Sequence, residues 1–180
     1  MEDDDRKEVR AKKTRKNAKP KSQRESSDEE PKDEKQKHKR RLAKALVSCG
    51  AKGGKKLDLR QAELIILEEG SLPSSYPLTH LLLDENKLSS LPADVSNFKD
   101  TLHVLSLGHN CLADLTTIQT TLSTLSTLTS LELNKNNITE IPKDCFKSLS
   151  ALLTLSLDDN SLKAFPIDSL YVISAHPNRD

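Results

Sequence analysis

Aromatic residues are nearly missing from this chain. Of 180 residues none is tryptophan, three are phenylalanine and two are tyrosine, 3% in all, which argues against a conventional aromatic core. Cysteine is scarce too. Cys49, Cys111 and Cys145 stand far apart, without the CxxC or CxH spacing of a zinc site or the setting of an activated thiol. No apolar run approaches the ~20 residues that span a bilayer. The opening Met1-Glu2-Asp3-Asp4-Asp5-Arg6-Lys7 lacks the apolar stretch of a secretory signal. Phosphate-loop spacing is missing as well, since Gly50-Ala51-Lys52-Gly53-Gly54-Lys55-Lys56 does not have it. These absences lead to the expectation of an intracellular chain, cytoplasmic or nuclear, with reduced thiols. No metal, cofactor, membrane or small-molecule substrate is expected.

Charge is plentiful, and it is divided. Residues 1–56 hold 20 Lys and Arg against 11 Asp and Glu, a net of +9, whereas residues 57–180 hold 8 against 16, a net of −8. The formal total of +1 therefore conceals a basic arm joined to an acidic body. Up to about Lys37 the only large aliphatic residue is Val9, so residues 1–38 are expected to be disordered: they have too little apolar surface to offset the entropy of ordering. Two basic clusters, Arg10 to Lys16 and Lys35 to Arg41, are of the kind that engage import receptors or phosphate backbones. Between them, Ser26 and Ser27 each precede a glutamate by three residues, which marks both as candidate phosphorylation sites. Leu42, Ala45, Leu46 and Cys49 then form one helical stripe before Gly50, so residues 39–54 are expected to be a short capping helix and a glycine-rich link.

The remainder, residues 55–180, repeats itself. Leu78-x-x-Leu81-x-Leu83-x-x-Asn86-x-Leu88-x-x-Leu91 returns three times, placing Asn110, Asn136 and Asn160 where Asn86 stands. The asparagines step by 24, 26 and 24 residues, and a weaker first unit puts Ala62 at that position 24 residues before Asn86. In each unit the leucines alternate with other residues as in a short strand with one buried face. Each asparagine follows at the turn, where one amide both donates and accepts, so the four are expected to form a ladder.

These units resemble the intracellular leucine-rich-repeat family over about residues 55–170. The resemblance implies an α/β leucine-rich-repeat solenoid, a right-handed β-α superhelix of about five repeats. No cysteine cluster of the sort that caps extracellular members flanks the array. The Thr/Ser-rich segment after Leu115 implies one helix near Thr116–Thr127, with looser or 3₁₀ turns in the other units. The apolar Leu170 to Ile173 is read either as lying over the last unit or as the end of a truncated or alternatively spliced product.

By the same resemblance the residues interleaved with the strand leucines line a concave face that binds a protein. The candidates are His80, Leu82, Asp84, Glu85, Ser106, His109, Glu132, Asn134, Lys135, Ser156, Asp158 and Asp159. Lys56, Asp58, Arg60, Gln61, Val104, Gly108, Ser130 and Thr154 complete that face. Its acidic bias around the apolar Leu82 suits a basic partner with an apolar anchor. His80 and His109 are candidates to approach one another, but an open, wet face disfavours catalysis. The reading is a non-enzymatic protein-binding module. Its alternatives are a nuclear or nucleolar adaptor whose arm contacts nucleic-acid phosphate, and a regulatory subunit of a phosphatase or small GTPase.

Overall fold

A computed structural model of the protein describes residues 32–164. Ser26, Ser27, the Arg10–Lys16 cluster and Leu170 to Ile173 lie outside the described residues.

Five three-residue strands follow one another: β1 (Lys56–Asp58), β2 (His80–Leu82), β3 (Val104–Ser106), β4 (Ser130–Glu132) and β5 (Thr154–Ser156). They form one parallel sheet in sequence order, so each unit lays its strand beside that of the unit before. The register aligns Leu57, Leu81, Leu105, Leu131 and Leu155 across the sheet. Period two in the sequence sends these leucines, and the next ones at Leu59, Leu83, Leu107 and Leu133, to the same inward side. All of them are buried except Leu155, which is half-buried.

The return segments close the other side of the core and differ from unit to unit. A 3₁₀ turn at Ala93–Phe98 buries Val95 and Phe98. Helix α2 spans Thr116–Leu122 and buries Ile118 and Leu122. It is shorter than the expected Thr116–Thr127. Beyond Leu122 the hydroxyls of Ser123, Thr124 and Thr127 bond to backbone carbonyls of Thr120, Thr121 and Leu102, competing with continued helix. After Ile141, Cys145, Phe146 and Leu149 are buried from turns. All three cysteines are free, and burial pushes the Cys145 thiol up to about 12.

The asparagines do form a ladder, and its wiring is regular. Asn110 Nδ2 donates to the carbonyls of Leu107 (3.1 Å) and Gly108 (3.2 Å) in its own unit and to Leu83 (2.9 Å) in the one before. Its Oδ1 accepts from the Leu88 N–H at 2.9 Å, again in the preceding unit. Asn86, Asn136 and Asn160 repeat the arrangement against Leu59 and Leu64, Leu107 and Leu112, and Leu133 and Ile138. Because Leu83, Leu107 and Leu133 each accept from two successive asparagines, the amides and carbonyls make one chain along the sheet. Every asparagine reaches backward. At Ala62 the preceding element is a helix and not a repeat, so an amide there would have no earlier turn to reach; the Ala62 carbonyl accepts from Arg41 Nη1 at 2.7 Å.

That arginine belongs to helix α1, Lys32–Ala51, which begins seven residues before the expected Lys39. Residues 32–38 are therefore helical and do not belong to a disordered arm. No glycine or proline interrupts the segment between Pro31 and Gly50, so the helix continues once its start is anchored. The anchor is Glu63, whose two carboxylate oxygens receive Lys37 Nζ at 2.9 Å and Arg41 Nη2 at 3.0 Å. Lys39 lies 3.8 Å from Glu68. Toward its C-terminus α1 is held differently. Cys49 is buried, and Leu42, Ala45 and Leu46 pack against the core beside β1, as the helical stripe required. Gly53 (φ +80°) and Gly54 (φ +68°) end it, their N–H groups on the Gly50 and Cys49 carbonyls (3.1 and 2.9 Å); the left-handed backbone favours glycine at both, and a Cβ on Gly54 would stand 3.1 Å from the Tyr76 ring.

The Glu63 clamp has a pH signature. The side chains of Arg41 and Lys37 hold its carboxyl at about 2, below the ordinary 4.5. A depressed carboxyl contributes stability that is present above the unfolded value and lost as pH falls through the folded one. Amide protection in residues 32–41 is therefore expected to decline between pH 4.5 and 2, ahead of the strands. Hydrogen exchange checks this, and in Glu63→Gln the decline should be absent because protection is already low at neutral pH.

Candidate outward face of the sheet

The residues between the inward leucines are registered into rows that run across the strands. Lys56, His80, Val104, Ser130 and Thr154 form one row, and Asp58, Leu82, Ser106, Glu132 and Ser156 form the next. Repeat spacing adds a third, Arg60, Asp84, Gly108, Asn134 and Asp158, and a fourth, Gln61, Glu85, His109, Lys135 and Asp159. Every residue of the fourth row has a left-handed backbone, with φ between 52° and 56°. Each sits directly before the ladder position, where the chain must turn sharply off the strand, and none is β-branched. This row was missed as a structural position in the sequence. The signal was there: five polar, unbranched residues at one repeat position.

The second and third rows are linked by hydrogen bonds. The Ser106 hydroxyl lies 2.5 Å from Asp84 Oδ1 and 2.7 Å from Glu132 Oε2. It has a single proton for two carboxylates. Asp84 Oδ1 also accepts from the Gly108 N–H at 3.0 Å. A Cβ on Gly108 would stand 2.7 Å from Asn134 Oδ1 and 3.1 Å from Asp84 Oδ1, so this glycine makes room for both side chains. At one edge Arg60 forks onto Asp58 (2.9 and 2.7 Å), and that guanidinium holds the Asp58 carboxyl below its usual range. Near the other edge the Ser156 hydroxyl does the same for Asp158. Gln61 Nε2 donates to Glu85 at 2.7 Å.

The candidate residues thus share one side of the sheet, with unequal access. His80, Glu85, His109, Lys135, Asp158 and Asp159 are exposed. Leu82, Asp84, Glu132, Asn134 and Ser156 are half-buried. Ser106, 3% exposed, is covered by its neighbours and serves as a brace, not a contact. His80 and His109 do not meet. His80 pairs with Val104, and His109 lies five residues further on, at the far end of the face. Among the described residues Asp84, Glu85, Glu132, Asp158 and Asp159 form no salt bridge, whereas Asp58, Glu63 and Glu68 do. No cluster suited to a metal ion is found among the described residues, and no helix there is long and apolar enough to cross a membrane.

Comparison with known proteins agrees with this geometry. A family model described as leucine rich repeat matches residues 126–172. An internalin C2 from Listeria monocytogenes is 30% identical with a TM-score of 0.53, over 67% of this chain and 48% of its own. A second Listeria monocytogenes internalin (inlF) is 30% identical, TM-score 0.45, over 54% and 26%. The leucine-rich-repeat protein LIC12759 of Leptospira interrogans is 28% identical, TM-score 0.49, over 67% and 35%. The chain spans less than half the length of each of these. No curated protein matches it. Five stacked parallel strand units and an asparagine ladder make this a leucine-rich-repeat solenoid, similar to the leucine-rich-repeat proteins above. Such domains are typically non-enzymatic modules of protein interaction.

Proposed function

We propose that the outward side of the sheet holds a protein partner carrying basic groups around an apolar anchor. The observation that carries this is the pairing of Leu82, half-buried among polar neighbours, with carboxylates that form no salt bridge among the described residues. Asp84 and Glu132 flank one serine hydroxyl, and Glu85, Asp158 and Asp159 stand around them. Rigid strands fix all of these positions before a partner arrives, which limits the entropy lost on binding. A lysine or arginine entering between Asp84 and Glu132 would supply the donors that Ser106 alone cannot.

The test compares the full chain with Leu82→Ser/Asp84→Asn/Glu132→Gln and with a control on the return side, Glu140→Gln/Lys143→Gln. Affinity purification from cells should recover a protein with wild type and control alike. The triple variant should lose it, with affinity reduced about 30-fold or more, equivalent to at least ~2 kcal/mol at a binding hot spot. Equal recovery by all three forms, each verified as folded by circular dichroism, would refute the assignment.

A second reading, in which the basic arm contacts nucleic-acid phosphate and directs the chain to the nucleus, is favoured by the charge division at residue 56. Its mark is binding that falls steeply with ionic strength.

A further inference from the structure

Helix α1 is held by two unlike forces. Its second half buries an aliphatic stripe; its first half, Lys32 to Arg41, contains no aliphatic residue at all. What holds the first half is Glu63 on Lys37 and Arg41, Glu68 beside Lys39, the Arg41 bond to the Ala62 carbonyl, and burial of His38. Lys37, Lys39, Glu63 and Glu68 are all roughly half-exposed in these pairs. An exposed pair of this kind is worth no more than about five-fold in an equilibrium constant, and salt weakens it further. Glu63 itself has φ 57°, a left-handed backbone that presents its carboxylate to the helix. Its two oxygens meet an ammonium and a guanidinium as the oxygens of a phosphate would.

We infer that Lys35–Arg41 is a binding element for nucleic-acid phosphate that is partly masked in this structure: Glu63 and Glu68 occupy the place of phosphates on Lys37, Lys39 and Arg41, while Lys35 and Arg40 stay exposed. The inference rests on the second reading above and adds its regulation. Ligand and clamp compete for the same three side chains, Lys37, Lys39 and Arg41, so binding requires the first half of α1 to leave the array. The aliphatic second half stays and keeps the end of the core covered. A nucleic acid is favoured over an acidic peptide because the positive charge is spread along the arm, suiting a polymer of evenly spaced phosphates.

Fluorescence anisotropy with a labelled single-stranded 20-nucleotide probe at low salt tests this on the full chain. Glu63→Gln/Glu68→Gln should bind roughly three- to ten-fold more tightly than wild type. Glu140→Gln/Asp144→Asn, which changes net charge equally away from the helix, should gain less than about two-fold. Adding Lys37→Gln/Arg41→Gln to the released form should abolish the gain. A gain matched by the control, or one that survives loss of Lys37 and Arg41, overturns the competition. Equal displacement by a poly-glutamate peptide of the same charge overturns the assignment to phosphate. Binding that depends only on Arg10–Lys16 leaves the second reading standing without its regulation, and no binding by any form removes both.

Discussion

Replacing Asn110 by alanine is expected to destabilise the array by about 3 kcal/mol, a drop in melting temperature on the order of 10 °C. The Leu88 N–H would lose its acceptor in a fully buried turn, while the carbonyls of Leu83, Leu107 and Gly108 would each lose one donor. Those carbonyls keep other partners, because Asn86, Asn136 and the Glu85 N–H also reach them, so the N–H carries most of the cost. The comparison that makes this decisive is Asn160→Ala. Asn160 has the same wiring but is partly exposed, and water can satisfy what it leaves behind. Its cost should be about 1 kcal/mol. Denaturant melts of the two variants measure the difference. Equal losses would mean that the ladder records the turn geometry without contributing to stability.

Leucines at one repeat position should likewise differ in worth. Leu105→Ala in β3 opens a cavity between neighbouring strands and should cost about 3 kcal/mol. Leu155→Ala, aligned with it two strands away in β5, should cost about 1 kcal/mol, since Leu155 is only half-buried and leaves little cavity. A cost at Leu155 equal to that at Leu105 would show the last unit to be covered as fully as the middle ones.

Much of this fold could be read from the residues because the array repeats one physical solution. Leucines at period two, followed by an amide three residues later, admit a strand and a sharp turn and little else. The five-stranded register followed without adjustment. The return segments were less legible. Thr116 to Thr127 has helical spacing of its apolar residues throughout, but the hydroxyls of Ser123 and Thr124 turn to the backbone and end α2 early. Helix α1 starts earlier than expected for the opposite reason. Lys32 to Lys37 shows no apolar periodicity, and what fixes it is Glu63, 26 residues from Lys37, on a backbone conformation that glutamate seldom adopts. On the outward face the alternation identified which residues share the surface. It did not reveal that Ser106 lies beneath two carboxylates, because burial within a face depends on neighbours from adjacent units and not on the local pattern.

The one-way wiring of the amides also bears on synthesis. As the chain leaves the ribosome, the backbone groups of Leu59 and Leu64 emerge before Asn86, and those of Leu83 and Leu88 before Asn110. Each newly made asparagine thus finds its docking groups already synthesised, and in docking it supplies the acceptor that the turn N–H of the unit before it awaits. Translation and assembly can advance together, one repeat at a time, from helix α1 outward.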